Sequence, residues 1–178
     1  MTNILPADLV LGHGSHPNPD AGMCVMEAVA YVAGEPHSGS PACASPVLAA
    51  LLRRWNDDLP HADRTRLLLP LVPVLVGSRG APEIEAARAW RILDWQIRVY
   101  QSAWLRLAGI TDHADAMAAL SPQIDEGALA TSAKARAAAG AAWDAAGAAA
   151  GDALAPTVAA LQQSAADLIR ELATMEAP

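Results

Sequence analysis

Six side chains able to do chemistry crowd into the first 45 residues of this 178-residue chain: His13, His16, Cys24, Glu27, His37 and Cys43. Cys24 carries the most specific reading. Turn-forming residues precede it, and the apolar run after Asp20 predicts a helix over 22–33. Cys24 then falls in the first helical turn, where free backbone N–H groups and the helix dipole favour a thiolate, with a depressed pKa if the side chain is partly exposed. Glu27 follows one turn along the same side, and His13, His16 or His37 offers an imidazole if the loops fold over the helix start. Cys24, Glu27 and His37 together would suit nucleophilic acyl-transfer chemistry. The competing account makes Cys24 a small buried hydrophobe, the commonest fate of a free cysteine.

A second chemistry is metal binding. His13, His16 and Cys43, with Cys24, Glu27 and His37 nearby in the chain, include every ligand type that zinc favours. Their spacing matches neither CxxC nor HExxH, so convergence would have to come from the fold. Gly12-His13-Gly14-Ser15-His16 lacks the GxGxxG spacing and the GK[ST] ending of phosphate-binding loops, and no GxSxG elbow occurs. Glu35-Pro36-His37 sets a carboxylate beside an imidazole, either for acid–base work or as a rigid turn. The residues name no cofactor.

The elements that must position these groups read as helices throughout. Gly34 ends the first helix. Ser45-Pro46 starts a second as N-cap and N1, closed by Asn56-Asp57-Asp58. Pro60 opens a third segment, which Pro70 and Pro73 turn into a kinked buried helix. Pro82 begins a long helix whose Ala86, Trp90, Leu93, Ile97, Tyr100, Trp104 and Leu107 alternate at spacings of 4 and 3, a heptad seam. Arg88, Arg91 and Arg98 lie off that seam and read as a solvated face, with Asp94 placed to pair Arg98. Gly109 ends this helix and Thr111 caps a short one. An Ala-rich helix with Gly140 and Gly147 on one face is expected over 133–153. Pro156 starts a final helix with a second seam, Val158, Leu161, Ala165, Leu168, Leu172 and Met175. The fold class expected is all-α: a helical body over 1–120 and an antiparallel helical hairpin over 128–178, packed on the body or on a second subunit.

Charge narrows the partners. Residues 1–110 carry 10 acids and 9 bases, and residues 111–178 carry 9 acids and 3 bases. No basic footprint for nucleic acid exists. The longest apolar run, over 67–76, contains two prolines and is half the length of a membrane span, so no membrane insertion is expected. Two cysteines make no disulfide framework, and the N-terminus has no basic or long apolar leader, so a cytoplasmic setting follows.

Gly22-Met23-Cys24-Val25-Met26-Glu27-Ala28-Val29-Ala30, Gly34-Glu35-Pro36-His37-Ser38, Pro46-Val47-Leu48 and Trp55-Asn56-Asp57, with the Ala/Trp-rich tail and Pro156-Thr157-Val158, resemble a group of uncharacterised proteins from actinobacteria and their phages. The resemblance covers most of the chain and implies an intracellular setting, and it brings no activity. The expected function is a non-enzymatic helical interaction or structural protein, a homo-oligomer joined through its seams or the binder of another protein. The alternative is a small enzyme with Cys24 as nucleophile and His and Glu partners, metal-assisted or not. Convergence of Cys24, Glu27 and a histidine in a polar pocket would favour the enzyme.

Overall fold

The computed structural model describes residues 3–121 and 151–176, and every regular element among them is helical. The elements are α1 (Val25–Ala33), α2 (Pro46–Asp58), α3 (His61–Leu68), α4 (Val72–Leu75), α5 (Pro82–Trp95), α6 (Ser102–Leu107), α7 (Thr111–Ala118) and α8 (Gly151–Ala173). A 3-10 turn, Pro19–Ala21, precedes α1, and another, Leu69–Leu71, joins α3 to α4. Two compact units result. The first comprises Met1–Arg88 and Gln163–Pro178, and the second Ala89–Gln162. The expected boundary at 128, and the Ala-rich stretch over 133–150 with Gly140 and Gly147, lie outside the described residues.

In the first unit α1 is the central element. Val25, Met26, Glu27, Ala28, Val29 and Ala30 are all buried, as the apolar run predicts, and α1 packs against α2 and α4. Leu48 and Leu52 from α2, Leu68 of α3, and Leu71, Val72 and Leu75 from the proline-broken run complete this core. Each such side chain contributes about 1.5–3 kcal/mol by leaving water. Pro70 and Pro73 are exposed, so their rings stay off the core side of this run.

Two helix starts differ from the sequence reading. The first helix begins at Val25, because Cys24 is extended (φ −78, ψ 174) and serves as its N-cap. The chain ahead of it is taken up by the 3-10 turn that Asn18 caps. The last helix is described from Gly151 on, so Pro156 lies inside it and removes one of its hydrogen bonds. Gly34 ends α1 in the left-handed region at φ 71, as expected.

The long seam is also revised. Between α5 and α6, Gln96–Gln101 forms a π-helical turn. It inserts one residue into the spacing and rotates everything after it relative to the helix before it. Trp90 is 55% exposed, and Val99, Tyr100 and Leu107 are also exposed, while Ile97 and Leu105 are buried with Ala114 and Met117 of α7. Ser102 supports the turn by donating its Oγ–H to Arg98 O (2.6 Å) and Val99 O (3.1 Å). The aromatic rings of Trp95, Tyr100 and Trp104 follow one another at centroid distances of 5.8 and 6.1 Å.

The arginine face expected to be solvated is only partly so. Arg88 is buried and donates to Leu172 O (2.8 Å), Ser78 O (2.6 Å) and Glu85 Oε1 (2.8 Å). Asp94 is buried too, and Arg98 grips both of its oxygens at 2.6 and 2.7 Å. In the final helix Leu161, Leu168 and Leu172 of the second seam are buried, while Val158, Ala165 and Met175 are half-buried.

Candidate functional site

Glu27 is the hub of the N-terminal chemistry. As the third residue of α1 it closes a capping box with Cys24: its Oε2 accepts from Cys24 N–H at 2.8 Å, and the Cys24 side chain faces the Glu27 N–H. The same carboxylate reaches into the loop before the helix. Oε1 accepts from His16 N–H (2.9 Å) and Oε2 from His16 Nδ1–H (2.8 Å). His37 Nε2 donates to His16 O (3.0 Å) and lies 3.7 Å from Glu27 Oε1, while its Nδ1 is buried without a hydrogen-bond partner. The Glu27 side chain is 2% exposed. Burial acts to raise its pKa, but the Cys24 and His16 backbone N–H groups and the His16 ring more than offset that, and the carboxyl is held below its ordinary 4.5.

Glycines make room for this clasp. Gly12 and Gly22 flank the His16 ring, and a Cβ on Gly22 would lie 2.8 Å from His16 Cδ2. One on Gly12 would overlap His16 Nε2. Gly12 and Gly22 are thus explained by a ring packed against backbone, without invoking an anion.

Of the three catalytic candidates, Cys24, Glu27 and His37 are brought together, but the thiol is not activated. Burial pushes Cys24 up to about 11, and the neighbouring Glu27 charge adds to that. The depressed pKa expected of a cysteine in a helical first turn is therefore corrected: Cys24 precedes the turn, is buried, and shares its N–H with a carboxylate. Among the metal candidates, His13 is exposed, His16 has its Nδ1 engaged by Glu27, and Cys43 sits in a loop pinned by another carboxylate. That carboxylate is Glu35, which accepts from Ala42 N–H (2.5 Å) and Cys43 N–H (2.8 Å), the rigid-turn role. Burial also raises the Cys43 thiol. Among the described residues no three of His, Cys, Asp and Glu form a group able to hold a metal ion, so His13, His16 and Cys43 do not make one.

Four residues that sequence reading passed over complete the site. Asn56 is fully buried; its Oδ1 accepts from Val25 N–H (3.2 Å) and its Nδ2 donates to Gly12 O (2.9 Å), stapling the loop to the start of α1. Asp57 Oδ1 accepts from Gly14 N–H (2.8 Å). Buried Arg64 closes the end of α2 through Asn56 O (2.7 Å) and Leu59 O (2.9 Å). Arg53 reaches the opposite loop at Gly39 O (2.9 Å). A signal for Asn56 did exist: Leu48, Leu52 and Asn56 are four apart, which puts a polar side chain on the buried face of α2. Between these loops lies a cleft of about 320 Å³ lined by Gly14, Ser15, Cys24, Glu27, Gly39, Arg53, Asn56 and Asp57.

Fold and site define an all-α protein whose N-terminal loops are clasped to a central helix by a buried carboxylate and two imidazoles. Comparison with protein-family models, with curated proteins and with solved structures finds no match to this chain. No described helix is long and apolar enough to cross a membrane.

Proposed function

We propose that the protein is a non-enzymatic helical interaction protein that self-associates through the α5–α6 segment. One observation carries the reading: Val99, Tyr100 and Leu107 are exposed beside the Trp95–Tyr100–Trp104 ring series. The chain has five Trp, two Tyr and no Phe, and four of these aromatics, at 90, 95, 100 and 104, belong to this segment. Aromatic side chains dominate the energetics of protein interfaces, and a monomer gains nothing by exposing them. The catalytic alternative loses support because Cys24 lacks an activated thiol and the Glu27 oxygens are engaged by backbone and ring N–H groups.

The setting proposed is cytoplasmic, supported by two free thiols. The resemblance to actinobacterial and phage proteins stays part of the proposal. Its quoted residues include Gly22, Cys24, Glu27, His37 and Asn56, which build the clasp, so proteins sharing that stretch should share the clasp.

Light scattering coupled to size exclusion tests the reading. The wild-type chain should run as a dimer or higher oligomer, and Tyr100→Glu with Leu107→Glu should give a folded monomer. A monomeric wild type, or an oligomer untouched by the double substitution, overturns it.

A further inference from the structure

The cleft beside the clasp has a charge arrangement that the clasp does not explain. Arg53 and Asp57 stand one turn apart on α2, where their Cβ atoms are about 5–6 Å from each other, and both line the cleft. They do not pair. Arg53 Nη1 donates to Gly39 O (2.9 Å) and Ser40 Oγ (3.0 Å), and Asp57 Oδ1 accepts from Gly14 N–H (2.8 Å) and Asn56 Nδ2 (3.0 Å). Each charge is thus tethered by the loop on its own side of the cleft. One residue further along α2, Arg54 and Asp58 do pair at the same i,i+4 spacing, at 2.6 Å, so the spacing itself does not prevent contact.

Tethering leaves Arg53 Nε and Nη2, and Asp57 Oδ2, without a bond to any described residue. Burial acts to raise the Asp57 pKa, but the Gly14 N–H, the Asn56 amide and the nearby His13 and Arg64 hold it below 3.8, so it is charged at neutral pH. The two walls therefore present a guanidinium and a carboxylate, and Ser15 also lines the cleft. The volume, about 320 Å³, is at the small end of ligand pockets.

We infer that this cleft binds a small zwitterion of the α-amino acid class, its carboxylate taken by Arg53 and its ammonium by Asp57. In such a ligand a single carbon separates the two charges, and the whole molecule fits within about 320 Å³. Charge-assisted hydrogen bonds at both ends supply the affinity.

The test is a ¹⁵N–¹H NMR titration of the full chain with glycine, L-alanine and L-serine, each set against its N-acetylated and its amidated form. At least one free amino acid should shift the Gly14 and Gly39 amides in a saturable manner. Blocking either end should weaken binding at least about tenfold, as should Arg53→Gln or Asp57→Asn, one such factor being about 1.4 kcal/mol. Asp57→Asn keeps an oxygen for Gly14 N–H, and circular dichroism checks that both variants fold. No saturable shift with any of the three, blocked forms that bind as well as the free ones, or variants that retain affinity would each overturn the inference.

Discussion

His16 Nδ1 and Glu27 Oε2 lie 2.8 Å apart, and that one contact joins a loop rich in glycine and proline to the first turn of α1, the most buried helix among the described residues. The same carboxylate takes the backbone N–H groups of His16 and Cys24. A buried carboxylate with this many donors resists replacement. Glu27→Ala should lower stability by about 2–4 kcal/mol, read by urea denaturation, because several N–H groups lose their acceptor at once. A cost below about 1 kcal/mol would show the contacts to be incidental.

Acid should release the clasp. The folded-state pKa values of Glu27, Asp57 and Glu85 lie below their unfolded ones, so the unfolded chain binds more protons at low pH. Their stabilisation is complete above the unfolded values and is lost as pH falls from about 5 through the folded ones. The melting temperature should fall over that range. In Glu27→Gln the starting stability should be lower and the acid dependence shallower; equal slopes would refute a role for Glu27 in it.

Gly12→Ala should destabilise the protein by about 1–3 kcal/mol, since the added Cβ overlaps His16 Nε2 and the ring cannot swing aside without leaving Glu27. In a His16→Ala background the same substitution should cost far less. Additive costs in the double-mutant cycle would mean that the two residues do not meet.

Alkylation distinguishes a buried cap from a nucleophile. With Cys43 replaced by Ser, Cys24 should react with iodoacetamide at pH 8 about a hundredfold more slowly than a free thiol, since only the thiolate attacks and its pKa is about 11. Denaturant should remove the difference. Fast reaction in the folded chain would restore the catalytic reading.

The ion pairs on the helices should differ sharply in worth. Asp94→Ala leaves Arg98 without its buried carboxylate and should cost about 3 kcal/mol. Asp58→Ala removes a pair on the open surface, and thermal melts should detect at most about 0.5 kcal/mol.

Local signals in the sequence translated well into structure. Ser45-Pro46 opens α2, Gly34 closes α1, and the run around Pro70 and Pro73 is a broken, buried helix, each for the reason its residue types suggest. The first seam misled because 4–3 spacing assumes a uniform helix, and a π turn inside Gln96–Gln101 leaves no mark in that spacing. The start of α1 was readable in part: Cys24 and Glu27 have the interval of a capping box, with a thiol in place of a hydroxyl. The clasp itself was not, because His16, Glu27, His37 and Asn56 meet only after the loops on both sides of α1 have closed. Nothing local to any one of them says which partner it will find.

Arg88 adds a consequence in time. Its guanidinium is buried against Leu172 O, 84 positions further along the chain. A ribosome must therefore synthesise past residue 172 before this cation is sheltered. Until then the first unit carries an open face and an unsheltered charge, so its completion waits for α8. A nascent chain stalled short of the last helix should be a ready target for chaperones and proteases.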